Sequence, residues 1–387
     1  MKAHNLANKW KIPLYKVLTD KEDIKLISTI IRRGMDWAIG PEIEYFEKSL
    51  SEYIGTKYCV TFNSGTSALH AALLSLGINS THEVIVPSFS FIATANSVLM
   101  TGATPKFVDI KEKTYGLNPI ATESVIGRKS KAIIPVHYSG LPCDIAELKE
   151  IAKRKKIFLI EDAAESIGAK INNRMVGTFG DMSIFSFAGN KVLTTGEGGC
   201  VVTNSKKYFQ KLKLIRSHGR LDRQNYFSSI DQPKYVTLGY NWRISSITAA
   251  IGISQLEKIE KLIGLRRKNA AYMNSKLKNL HYISTPNEPT GFKHVYQLYS
   301  IRLPNSIIRN KMMQFLANKG IMTKVFFFPI HLTTLYKKMG YGKIPNLEIT
   351  KTISNQILTL PMYPGLKKEE MNFICDSIHE FTDTMKL

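Results

Sequence analysis

The sequence predicts an α/β protein with a large domain on a mostly parallel sheet and a smaller α+β domain behind it. Two observations carry this. From about Tyr58 short apolar runs alternate with longer helix-like ones, and near residue 260 that alternation stops. Strands separated by helices build parallel sheets covered on both faces. The length of 387 residues suits one large and one smaller unit, which we set at 1–259 and 260–387.

The runs YCVTF, EVIVP, PKFVDI, KAIIPVH and IFLIED read as strands, being short and rich in Val, Ile and Phe. Between them TSALHAALLSLG and DIAELKEIAKRKK read as helices. In the first, Leu69, Ala72, Leu73 and Leu76 recur at helical spacing and Gly77 is a stop. DMSIFSF and GGCVVTN add two strands. The stretch from Ser245 to Leu280 reads as a long helix or a broken pair. In the smaller unit HVYQLYSIRL reads as a strand, RNKMMQFLANKG as a helix, and TISNQILTLPMYPGL as a helix running into a proline-rich turn.

Composition narrows the function classes. Lys and Arg number 53 against 31 Asp and Glu, a net charge of +22. Such an excess points toward phosphates, nucleic acid or membrane surfaces. The basic residues are nevertheless spread along the chain. The densest cluster, Lys153–Lys156, ends a helix, where cations suit the dipole. No helix-turn-helix or zinc pattern appears, so a nucleic-acid partner is not expected. Cys59, Cys143, Cys200 and Cys375 are far apart, without CxxC or Cys/His metal spacing. Free thiols suit a reducing cytoplasm, and no metal is expected. The first residues lack an apolar signal core. The most apolar stretch, Val84 to Met100, is broken by Pro87, Ser88, Ser90 and Asn96, so no membrane span is expected.

Three groups fall at the carboxyl ends of strands, where ligands of open α/β sheets bind. In FNSGTSAL, Gly65 and Thr66 join a strand to a helix. A helix start offers free N–H groups to a phosphate, and glycine permits close approach. A plain helix cap by Thr66 or Ser67 is the alternative. IFLIEDAAES ends a core strand in Glu161 and Asp162, with Glu165 just after. A cationic ring nitrogen would keep Asp162 ionised, and capping of a following helix is the alternative. FSFAGNKVLTTGEGG places Ser186 at a strand end, Lys191 five residues on, and glycines that let the chain turn back. A lysine shielded from water becomes a nucleophile able to form a Schiff base. A solvated surface lysine is the alternative. Together the three supply what pyridoxal phosphate requires: a phosphate anchor, a pyridinium partner and a reactive amine.

EDAAESIGA, GTFGD, FSFAGNKVLTTGEGG and LGYNWRISSITAAIGISQLEKI resemble the DegT-type nucleotide-sugar aminotransferases, members of the pyridoxal phosphate-dependent fold type I. The resemblance runs from WAIGPEIEYFEKSL to LPMYPGL. It implies that Lys191 forms the Schiff base and moves protons, and that Asp162 pairs with the pyridine nitrogen. Glu165 falls near the ring hydroxyl. Gly65, Thr66 and Ser186 fall on the phosphate. Phe91, in PSFSF, matches the aromatic residue that stacks on the ring, with a core phenylalanine as the alternative. Asn241, in GYNWR, matches the asparagine reaching the neighbouring subunit's cofactor phosphate, which implies a homodimer with shared sites. Arg243 contacts substrate phosphate or caps the next helix.

The resemblance further implies a two-stage reaction. L-glutamate gives its amino group to the cofactor, leaving pyridoxamine phosphate, which aminates the keto carbon of a nucleotide-linked 4-keto-6-deoxy sugar. Such products feed surface polysaccharides, O-antigen among them. Relatives that dehydrate carry His in place of the lysine, so Lys191 favours transamination. SFAGNK, PVHYSGLPCD and HVYQLYS resemble the branch acting on GDP-4-keto-6-deoxymannose to give GDP-perosamine. Lys324, in GIMTKVFFFPIHLTTLY, stands where many members carry Arg, and the two bind phosphate differently. That leaves a UDP- or dTDP-linked sugar as an alternative substrate. His331 is a substrate contact or a packing residue. A regulatory binding protein on the same fold is the second functional class.

Overall fold

The computed structural model describes residues 10–221, 230 and 232–385. The first nine residues, part of the stretch read above for a signal core, lie outside that range. The central sheet has seven strands: β1 (Tyr58–Phe62), β2 (Glu83–Pro87), β3 (Thr104–Val108), β4 (Ser130–Ile133), β5 (Phe158–Asp162), β6 (Met182–Ser186) and β7 (Gly199–Thr203). Their order is β1-β7-β6-β5-β4-β2-β3. β7 runs antiparallel to both its neighbours, and the β6-β5-β4-β2-β3 pairings are parallel. The sheet is thus mixed and mostly parallel, as expected of fold type I.

The helices that concern the site are α1 (Lys21–Arg33), α2 (Pro41–Ile54), α3 (Gly65–Ser75), α4 (Ala93–Met100), α5 (Ile145–Lys155), α6 (Lys206–Arg216), α7 (Ser246–Glu257) and α8 (Ile259–Leu277). Each expected strand of the large unit is present, most trimmed by a residue or more at its ends. The stretch after Ser245 is two helices meeting at Lys258. α1 and α2 were not among the expected elements. α1 is closed by a capping box between Asp20 and Asp23 and by Gly34 in a left-handed conformation.

The smaller unit departs from expectation in two places. TISNQILTL is not one helix. A helix spans Glu348–Gln356, and Ile357–Leu360 is a fully buried strand paired antiparallel with Tyr299–Arg302. Ile357, Leu358 and Leu360 lie in the core, so sheet pairing and burial override the helical spacing of the run. A last helix, Lys368–Met385, was also unforeseen; it buries Met371, Ile374, Cys375, Ile378 and Phe381.

Two of the cores bear on how the parts join. One holds Ile259 and Ile263 of α8 beside Phe46, Phe185 and Leu193. Another holds Ala270, Met273 and Leu277 of the same helix beside Tyr299, Leu358 and Phe381. α8 therefore begins in one core and ends in the next. Ile12 also belongs to the second core and bridges to Ile321.

Glu161 shows why a carboxylate ends a core strand. It is fully buried. Its Oε1 accepts the amides of Phe179 (2.7 Å) and Gly180 (2.8 Å) and the Ser183 hydroxyl (2.9 Å). Its Oε2 accepts the Gly177 amide (2.9 Å) and sits 3.2 Å from His137 Nε2. His137 Nδ1 accepts the Cys143 amide at 3.0 Å, so the Nε2 hydrogen faces Glu161 and donates to it. Glu161 thus gathers the GTFGD loop beneath β5, and these donors hold its pKa below the usual carboxylate value despite burial. Glu161→Ala leaves these donors buried and unpaired. It is expected to cost about 3–5 kcal/mol, read as a lowered midpoint in urea unfolding.

Candidate active site

The site forms where β5, β6 and α3 meet at one end of the sheet. Lys191 lies in the loop between β6 and β7. The loop is pinned by its own threonines: Thr195 N and Thr194 Oγ1 both donate to the Phe187 carbonyl, at 2.9 and 3.1 Å. The Gly196 amide donates to Thr194 Oγ1 at 3.0 Å, and Ala188 bridges to Gly196. Lys191 N donates to the Ala188 carbonyl at 2.9 Å, which fixes the backbone of the lysine. Its side chain is 13% exposed, not solvated. Nζ lies 3.3 Å from Glu165 Oε1. The other oxygen of Glu165 accepts the Ser139 amide at 2.7 Å.

Asp162 closes β5. The strand end is held by Asp162 N donating to the Pro135 carbonyl and His137 N donating to that of Asp162. Oδ2 accepts the Thr94 hydroxyl at 2.7 Å and Oδ1 the Ala164 amide at 3.2 Å. No helix follows Asp162; its carboxylate closes a turn instead. The residue is 3% exposed. Burial raises its pKa above the ordinary value near 3.8, opposed by Thr94, Ala164 and the charge of Lys191 and reinforced by Glu165. Such a carboxylate is short of a cationic partner.

At the start of α3 the cap is Ser64, not Thr66 or Ser67. Ser64 Oγ accepts the Ser67 amide at 3.1 Å, and Ser67 Oγ accepts the Ser64 amide at 3.2 Å. The Ala68 amide goes to the Ser64 carbonyl. The amides the cap leaves open are those of Gly65 and Thr66. A Cβ on Gly65 would lie 2.9 Å from Ser186 Cβ, and one on Gly199 would lie 2.7 Å from Gly65 N. The two glycines let the helix start, the end of β6 and the returning β7 close onto one point. Open amides, a nearby serine hydroxyl and a helix dipole fit a phosphate. With Asp162 and Lys191, these residues fit pyridoxal phosphate.

Phe91 is 59% exposed, with its ring centroid 6.1 Å from that of Phe327. It is not a core phenylalanine. Four further expected residues make contacts of their own. Asn241 is exposed, its backbone bridging to Ser217, while the Trp242 carbonyl accepts the Asn63 amide beside the α3 cap. Arg243 donates to Ser217 Oγ at 3.2 Å. Lys324 is exposed, with Nζ 5.1 Å from the Phe326 ring centroid. His331 is fully buried, its Nδ1 2.6 Å from Ser88 Oγ. Burial first, then Lys351 and Lys337, lower its pKa to about 4, so the ring is neutral. Thr94 and Ser139 join the site without having been singled out. Both are small hydroxyl residues in ordinary surroundings, and only the fold brings them to Asp162 and Glu165.

The profile of the DegT/DnrJ/EryC1/StrS aminotransferase family matches residues 18–379. GDP-perosamine synthase of Escherichia coli O157:H7 is 36% identical over 370 residues, covering 96% of this chain and 98% of that protein. The GDP-perosamine synthase of Vibrio cholerae is 34% identical over 372 residues, with coverages of 96% and 99%. A pleiotropic regulatory protein of Geobacillus stearothermophilus is 34% identical over 369 residues, with coverages of 93% and 95%. Among solved structures, S. venezuelae DesV superposes with a TM-score of 0.87 at 31% identity, covering 96% of this chain and 98% of that one. Helicobacter pylori PseC, an aminotransferase in pseudoaminic acid biosynthesis, gives 0.90 at 29%, with coverages of 96% and 99%. The PLP form of the Streptococcus pneumoniae sugar aminotransferase Spr1654 gives 0.90 at 26%, also covering 96% and 99%.

Because the folded pKa of Asp162 is raised, stability falls as pH rises from the unfolded value near 3.8 through the folded value, and the loss is complete above it. Cofactor-stripped Asp162→Asn is therefore expected to be more stable than stripped wild type at pH 7.5. The difference should vanish near pH 4. Urea unfolding at both pH values checks this.

Proposed function

The chain belongs to the DegT/DnrJ/EryC1/StrS aminotransferase family, and from that premise we propose that it moves an amino group from L-glutamate to a nucleotide-linked 4-keto-6-deoxy sugar. Its class is that of a pyridoxal phosphate-dependent aminotransferase. The substrate we favour is GDP-4-keto-6-deoxymannose, giving GDP-perosamine. The reading is carried by one observation: Lys191, Glu165 and Asp162 converge beside the open amides of α3. The identity to GDP-perosamine synthases over nearly the whole chain supports the sugar and the nucleotide.

When bound, pyridoxal phosphate supplies an aldehyde for the amine and an electron sink for the charge left when a proton departs. The chain's own residues do the rest. Asp162, held by Thr94 and Ala164, stabilises positive charge on a ring nitrogen. The amides of Gly65 and Thr66 with Ser186 hold a phosphate, and Phe91 offers a face for the ring. Lys191 Nζ, largely shielded, takes and returns the proton at the reacting carbon. Glu165 is placed to hold that amine between transfers, its own orientation set by the Ser139 amide. We assign substrate phosphate to Arg243 and Lys324. His331, sealed behind Ser88, supports the end of β2 and touches substrate only if that serine moves.

We further propose a homodimer in which Asn241 reaches the partner's cofactor phosphate; its exposure supports this. A cytoplasmic setting accords with four free buried cysteines. No helix among the described residues is long and apolar enough to cross a membrane. The relative named as a pleiotropic regulatory protein keeps a regulatory role as the second reading.

The purified protein is expected to be yellow and to be fixed to its cofactor at Lys191 by borohydride. Lys191→Ala should lower amino transfer from glutamate at least a thousandfold, about 4 kcal/mol of barrier. Full turnover by that variant would end the assignment. A panel of GDP-, UDP- and dTDP-linked 4-keto sugars should show GDP preferred, and equal turnover of UDP and GDP sugars removes that preference.

A further inference from the structure

Ser90, Phe91 and Thr94 lie on one short segment after β2. Phe91 points to solvent, while the two hydroxyl residues point inward and are buried, Ser90 at 3% and Thr94 at 1% exposure. A threonine in a helix often returns its hydroxyl to a backbone carbonyl of the preceding turn. Thr94 does not. Its Oγ1 donates to Asp162 Oδ2 at 2.7 Å and lies 2.8 Å from Ser90 Oγ. A threonine hydroxyl has one hydrogen. Since that hydrogen goes to the carboxylate, the Ser90 hydroxyl must be the donor to Thr94. The result is a polarised chain, Ser90 to Thr94 to Asp162, reaching the carboxylate from the first turn of α4.

We propose that Thr94, backed by Ser90, is a positioning residue that sets the proton affinity and orientation of Asp162 toward the cofactor ring. This deepens the aminotransferase reading and rests on it. The charged groups facing Asp162 are Lys191, from the loop after β6, and Glu165, just beyond β5; they act in opposite senses. Glu161 faces the other side of the sheet, because successive strand residues alternate, and is taken up with His137 and the GTFGD loop. Lys191 and Glu165 are themselves joined, and Lys191 is committed to moving protons during the reaction. Besides the Ala164 amide, the hydroxyl chain is the neutral donor that favours the ionised form of Asp162 against burial. Because a hydroxyl can both donate and accept, the chain also tolerates a protonated Asp162 by reversing.

The test uses Thr94→Val, which keeps the shape and removes the hydroxyl, Thr94→Ser, which restores it, and Ser90→Ala. Three quantities are read: affinity for pyridoxal phosphate, the pH midpoint of the holoenzyme's visible absorbance, and urea stability of stripped protein between pH 4 and 8. Thr94→Val should bind the cofactor about tenfold more weakly and shift the absorbance midpoint by about one pH unit. In stripped protein it should extend the fall of stability to higher pH, since a contribution that lowers the Asp162 pKa is gone. Thr94→Ser should restore all three, and Ser90→Ala should move them the same way by less. The proposal is overturned if folded Thr94→Val matches wild type in midpoint and affinity. It is equally overturned if Thr94→Ser fails to restore them, or if Ser90→Ala changes nothing. Should wild type take up no pyridoxal phosphate, the cofactor reading falls, and the pH dependence of the stripped variants still decides whether Thr94 governs Asp162.

Discussion

Two neighbouring carboxylates at the end of β5 organise this molecule. Glu161 and Asp162 are adjacent, both buried, and directed to opposite faces of the sheet. Ionised carboxylates in such a place are costly unless compensated. The fold compensates one fully: Glu161 collects three amides, a hydroxyl and an imidazole. The other receives one hydroxyl and one amide, and its proton affinity stays raised. That asymmetry separates structure from function. The satisfied carboxylate gathers the loop leading into β6, which carries Ser186 and the lysine loop. The under-satisfied one awaits a cation the polypeptide does not supply.

The same division explains what was legible in the sequence. Lys191, Asp162, Gly65 and Ser186 could be found because each interrupts a local pattern: a lysine between a strand and glycines, an acid ending an apolar run, a glycine at a strand–helix joint. Thr94 interrupts nothing. In ATANSVLM a threonine is unremarked, and its importance comes from a residue 68 positions away. The strand Ile357–Leu360 escaped for a related reason. Its apolar residues continue the helix before them, and only the partner strand at Tyr299–Arg302 selects an extended backbone. The α3 cap shows a milder form of the problem. Ser64, Thr66 and Ser67 are all chemically able to cap, and geometry chooses Ser64, which leaves the Gly65 and Thr66 amides open.

Substrate choice is written more faintly than cofactor chemistry. Asp162 and Glu165 are buried and hydrogen-bonded, and Lys191 is largely shielded. Lys324 and Asn241 are exposed. Residues on a surface answer to a ligand or a second chain, and their order is completed there. The buried carboxylates and the lysine are therefore ordered within one chain, while Lys324, which we assign to substrate, and Asn241, which we assign to the partner's cofactor phosphate, are less constrained by it.

The bridge from Ile12 to Ile321 bears on the order in which the molecule can assemble. During synthesis the residues around Tyr15 to Leu18, which line the cleft beside Asn190 and Lys191, emerge long before Ile321. They cannot be seated until the strand and helices of the last third have been made, because Ile12 belongs to that late core. A contact spanning some three hundred residues forms slowly, since closing so long a loop must precede its reward. The wall of the lysine cleft is thus among the last parts completed. A nascent chain carries its reactive amine beside an unfinished pocket until the segment around Ile321 has been made and can receive Ile12.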